Sequence, residues 1–182
     1  MQRRKTRSRR TAGRIAATVA GTVAMFGSAA GLNAQRRQDY LPQATIVEVM
    51  DSMVMPLAQG LWDAVVYEDT IKGPETDEGW QKVRWAAVSL AESANVLMIP
   101  ERPVADADAV AGEGELSPKE IQDLITKNRG AWVGHARGLH EIAMQAIQAV
   151  DAKNAEQLGD VGGTLDSVCE GCHLQFWYPN QR

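Results

Sequence analysis

Apolar residues recur along most of the chain in steps of three and four, the spacing of a helix that buries one face, and no long alternating strand pattern interrupts them. Four segments carry this period. The first spans residues 43–68 after the Leu41-Pro42 breaker and sets Ile46, Met50, Met53, Leu57, Leu61 and Val65 on one stripe. Pro56 inside it predicts a kink, because proline offers no N–H to the helix ladder. The second begins near Asp77, a good N-cap, and shows Trp80, Val83, Ala87, Leu90, Ala94 and Leu97 at unbroken a/d spacing until Pro100 ends it.

Ser117-Pro118-Lys119-Glu120 restarts the helix with a capping box and a proline at the first helical position. A break at residues 128–130 precedes the third main helix, striped by Trp132, Ala136, Leu139, Ala143, Ala146 and Val150. The fourth starts near Asn154 and aligns Leu158, Val161, Leu165, Cys169, Cys172 and Phe176 before Pro179. Residues 99–116, rich in Pro, Ala, Gly and acidic groups, show no period and read as a long exposed loop. Together these segments predict an all-α fold, an antiparallel four-helix bundle. Gly159, Gly162, Gly163 and Gly171 weaken the last helix by up to about 1 kcal/mol each relative to Ala, for which close approach of a cofactor or a neighbouring helix is the expected compensation.

The charge distribution divides the chain. Of 19 Lys and Arg, seven lie within the first fourteen residues, where no Asp or Glu occurs, and Ile15 to Ala34 is an uncharged run of mainly Ala, Gly, Val and Thr. This is the basic n-region and apolar h-region of a secretory signal, so residues 1–34 are expected to direct export and 35–182 to form one functional domain. Cleavage is expected after Ala34, with Ala30 as the alternative. A segment of this length also just spans a bilayer, so an uncleaved membrane anchor is the competing reading. Without residues 1–34 the chain has 12 Lys and Arg against 23 Asp and Glu, a formal charge of −11, which disfavours nucleic acid as a partner.

The chemistry lies at the C-terminus. No phosphate-binding glycine loop, nucleophile elbow or carboxylate-rich metal pattern is present, and the only two cysteines form Cys169-Glu170-Gly171-Cys172-His173. On a helix, both sulfurs share one face about one turn apart, and His173 follows one turn after Cys169. That arrangement suits two thioether bonds to the vinyl groups on one porphyrin edge, with the imidazole as proximal iron ligand; the motif therefore points to one covalent haem c. A disulfide across so small a loop would constrain the unfolded chain little. The competing readings are a thioredoxin-like redox pair, which expects a β-α-β context, and half of a zinc site, which needs further ligands. His135 and His140, five residues apart, do not share a helix face and read as ordinary helix residues.

A haem-attachment motif near the end of a four-helix chain resembles the cytochrome c′ family, including its low-spin members, over about residues 40 to 178. The resemblance implies that a residue of the first helix faces the open side of the iron. Met50-Asp51-Ser52-Met53 is similar to the M-x-x-M spacing of the low-spin members, which makes Met50 the expected distal ligand; a shift by one turn places Val47 there instead. Two positions depart from the family's usual pattern: Ile46 stands where an arginine is common four residues before the distal position, and Trp177 where a basic residue follows the haem histidine. The resemblance further implies a homodimer through the first two helices.

The expected function is electron transfer by a periplasmic c-type cytochrome rather than enzymatic turnover, with an acidic surface suited to a basic redox partner protein. Two alternatives stand beside it. One is a five-coordinate haem that binds nitric oxide or carbon monoxide, and the other is a haem-free helical metal-binding module.

Overall fold

The structure, a computed structural model, describes residues 40–181. The proposed signal segment and its cleavage site lie outside the described residues. Those described form a mostly helical bundle: α1 (Ile46–Val49), a π-helical turn (Met50–Val54), α2 (Met55–Trp62), a hairpin β1 (Val66–Tyr67) and β2 (Ile71–Lys72), α3 (Asp77–Leu97), α4 (Pro118–Lys127), α5 (Arg129–Asp151) and α6 (Ala155–Phe176). The all-α helical character is thus as expected, with one small antiparallel hairpin added, in which Val66 pairs with Lys72 and Tyr67 with Ile71.

The helices start where side chains satisfy the free N–H groups of the first turn. Thr45 and Glu48 close a capping box on α1, Thr45 Oγ1 accepting from Glu48 N (3.2 Å) and Glu48 Oε2 from Thr45 N (2.8 Å). Ser117 and Glu120 repeat the device on α4 with Pro118 at its first position. The cap of α3 is Thr76, one residue before the expected Asp77, because the Thr76 hydroxyl accepts from Gly79 N. The break between α4 and α5 narrows to the single residue Asn128.

α5 packs against both α3 and α6, and α2 closes the bundle against α3 and α6. Every residue of the expected α3 and α5 stripes is buried, as are Leu158, Val161, Leu165 and Phe176 of α6. Two indoles pin the helices: Trp132 Nε1 donates to Leu97 O (2.9 Å), and Trp62 Nε1 to Gly162 O (3.0 Å). The helical glycines differ in role. A Cβ on Gly159 would stand 2.9 Å from the Tyr67 hydroxyl and one on Gly162 3.1 Å from the Trp62 ring, whereas Gly163 has nothing within 4 Å. Gly171 faces only His135, at 3.9 Å, an ordinary contact. Close approach therefore accounts for two of the four.

Two expectations are corrected. The first helix does not run to residue 68: it stops at Trp62, and the β-branched and aromatic run Val65-Val66-Tyr67 turns into the hairpin. Nor is 99–116 simply an exposed loop. Val104 and Arg102 are buried, Ile46 N and Val47 N donate to Pro103 O (2.8 Å) and Val104 O (3.0 Å), and Leu116 N donates to Trp177 O (2.8 Å). The segment is a strap, fastened to α1 at one end and to the end of α6 at the other. Among the described residues, no helix is long and apolar enough to cross a membrane.

Candidate functional site

The kink expected from Pro56 takes the form of a widened turn. Without an N–H at residue 56, the carbonyl of Ser52 loses its usual partner, and the Met50–Val54 stretch adopts π geometry in which Met55 N donates to Met50 O, five residues back. The extra residue shifts the register of the face that follows. Met50 and Met55 both come to line a cavity of about 500 Å³, while Met53 packs against the core instead. Val47, the alternative distal residue, lines the same cavity.

The last two turns of α6 supply another part of the lining. Cys169, Cys172 and His173 all line this cavity, so the residues expected to hold a haem and the expected distal Met50 are brought around one space. Trp62, Leu97 and Trp132 add apolar surface, and Ala105, Ala109 and Leu116 of the strap form a further wall. The volume lies within the roughly 300–1,000 Å³ of cofactor and small-molecule clefts.

The electrostatics of the motif follow from burial. Both cysteines are free and half-buried. Burial pushes the Cys172 thiol up to about 12 and raises that of Cys169, with Asp166 adding to the second. Such thiols stay protonated at neutral pH, unlike the acidic thiolate of a disulfide-exchange pair. Burial also holds the His173 imidazole below its usual value, against the opposing influence of Glu170 and Glu115. It is therefore mainly neutral, the form that binds iron. Trp177 and Tyr178 flank it with ring centroids at 6.0 Å each, and the Tyr178 hydroxyl donates to Glu170 Oε2 (2.8 Å). Burial and this bond push the Tyr178 hydroxyl up to about 12.

Trp132 anchors the base of the site, edge-on to Phe176 (5.4 Å) and stacked on Trp177 (6.5 Å). Comparison with protein-family models, characterised proteins and solved structures finds no match to this chain. The site must be read from its own residues.

Three contributors escaped the sequence reading. Met55 reaches the cavity through the π turn, whose only sequence signal is Pro56. His135 lines the cavity as well, and its Nε2 is hydrogen-bonded to the Gln175 side-chain amide (2.7 Å); helix periodicity places it on α5 but not at this face. The strap carries no periodicity at all. Among the described residues, no group of three or more His, Cys, Asp and Glu is arranged to hold a metal ion directly. The donor set instead fits haem c: two protonated thiols and a neutral imidazole on one helix end, with the thioethers of Met50 and Met55 lining the same cavity.

Proposed function

We propose that this chain is an exported, periplasmic c-type cytochrome, an antiparallel four-helix bundle similar to cytochrome c′, that carries one haem and transfers electrons. Cys169 and Cys172 hold the haem by thioether bonds, His173 is the proximal ligand and Met50 the distal one. The observation that carries this reading is the convergence of these four residues, from the first and last helical segments of the described residues, on one cavity. The bound haem supplies one-electron chemistry between Fe(II) and Fe(III). The chain orients the imidazole between Trp177 and Tyr178, excludes water with Trp62, Leu97 and Trp132, and leaves a rim that meets a partner.

That rim is acidic. Asp51, Glu115, Asp166 and Glu170 are its exposed carboxylates, and no Lys or Arg lines the cavity among the described residues, so a basic redox protein is the partner it suits. Gas binding is the second reading, favoured by Val47 on the same wall as Met50. The optical spectrum of the reduced protein with and without carbon monoxide separates the two. Electron transfer predicts a low-spin spectrum that the gas leaves unchanged; a rapid shift on adding it supports the five-coordinate reading.

A further inference from the structure

Among the described residues, Arg102 has no counter-ion. It is only 4 % exposed, its Nη1 donates to Ala44 O, and its Nε has no hydrogen-bond partner among the described residues. A guanidinium does not deprotonate in proteins, so this is a buried fixed charge, and a buried charge left unpaired is strongly unfavourable. Five other cations already have a carboxylate: Lys72 with Glu68, Lys82 with Glu78, Arg84 with Asp151, Lys119 with Asp123 and Lys153 with Asp77. Arg129 rests on the carbonyl of Met98, where the negative end of the α3 dipole lies. Among the described residues, Arg102 alone is buried with an orphaned side-chain donor.

Its place in the fold shows what that donor is for. Arg102 begins the stretch that is bonded to the start of α1 through Ile46 and Val47, and Val47, Val104 and Ala105 are lining residues of the cavity. Arg102 is not itself a lining residue, but it lies two residues before Val104 and is bonded to Ala44, three residues before Val47, so its chain neighbours on both sides form part of the wall of a cavity lined by no Lys or Arg among the described residues. A haem brings two propionate carboxylates into such a cavity, and an arginine edge that presents Nε–H beside an Nη–H matches a carboxylate in a paired, charge-assisted bond.

We propose that Arg102 binds a haem propionate, supplying from the strap the cation that the first helix lacks at Ile46. This rests on the haem reading above. The same contact joins the cofactor to the strap and, through Ala44, to the N-terminus of α1, whose C-cap is Met50.

The test uses the haem-loaded protein, with resonance Raman spectroscopy of the propionate bending bands and the midpoint potential as readouts. In the unsubstituted protein one propionate band is expected at the position of a strongly hydrogen-bonded group, a result that needs no variant. Arg102→Gln is expected to move that band towards the unbonded position and to lower the potential, because removing a nearby cation favours Fe(III). Arg102→Lys is expected to restore most of the potential but not the band. If Arg102→Gln loses stability while band and potential stay unchanged, Arg102 is only a brace for Ala44 and the proposal is overturned. Two unbonded propionate bands in the unsubstituted protein overturn it as well, and both results leave the haem reading intact; only protein without haem defeats the two together.

Discussion

Gly162 and Gly163 are neighbours on α6 with opposite roles. A Cβ on Gly163 meets nothing within 4 Å, so Gly163→Ala is expected to raise stability by up to about 1 kcal/mol through helix propensity alone. At Gly162 the added carbon must displace the Trp62 ring, whose Nε1–H bonds to the carbonyl of the same glycine. Gly162→Ala is therefore expected to forfeit that gain and to cost about 1 kcal/mol for the weakened bond. Chemical denaturation of both variants checks this; equal effects would contradict the close-approach account. The sequence marks these glycines as costly within a helix, but which of them touches another element depends on the hairpin and on α2, whose placement is tertiary. The Cys-x-x-Cys-His motif is the opposite case. Cys169, Cys172 and His173 are legible because their chemistry depends on spacing within one helix turn, and local spacing is what a sequence records.

Among the elements, α3, α5 and α6 follow their apolar stripes closely, because each buries one continuous face and starts on a side-chain cap or a clean break. The first helical segment is less legible. Its stripe, read at a constant period, places Met50 and Met53 together, whereas the π turn adds one residue and substitutes Met55 for Met53 at the cavity. Pro56→Ala restores an N–H for Ser52 O, and an ordinary α-helix from Ile46 to Trp62 is the expected result, with Met55 turned from the cavity. A structure of that variant decides it: a persisting π turn would show that packing rather than Pro56 sets the register. The strap was illegible for a different reason. Residues 103–116 hold their place by backbone bonds to α1 and to the end of α6, and such bonds leave no trace in side-chain periodicity.

At the scale of the whole molecule, charge and cavity act together. The chain without residues 1–34 has a formal charge of −11, and the carboxylates at the rim, Asp51, Glu115, Asp166 and Glu170, concentrate that sign around the site. Electron exchange with a cationic redox protein is expected to slow as salt rises, and Glu115→Gln with Asp166→Asn is expected to lower the low-salt rate several-fold and flatten the salt dependence. Stopped-flow measurement at several ionic strengths checks this, with a small neutral reductant as the control whose rate the pair leaves unchanged. The central claim is more basic than any partner: two thioether bonds join a haem to α6. Its most direct test is the intact mass, under denaturing conditions, of protein purified from a host able to mature c-type cytochromes. The account expects one haem added to the polypeptide mass and retained through denaturation, and no such addition in the Cys169→Ala, Cys172→Ala double variant. Unsubstituted protein with the mass of the bare polypeptide would contradict it.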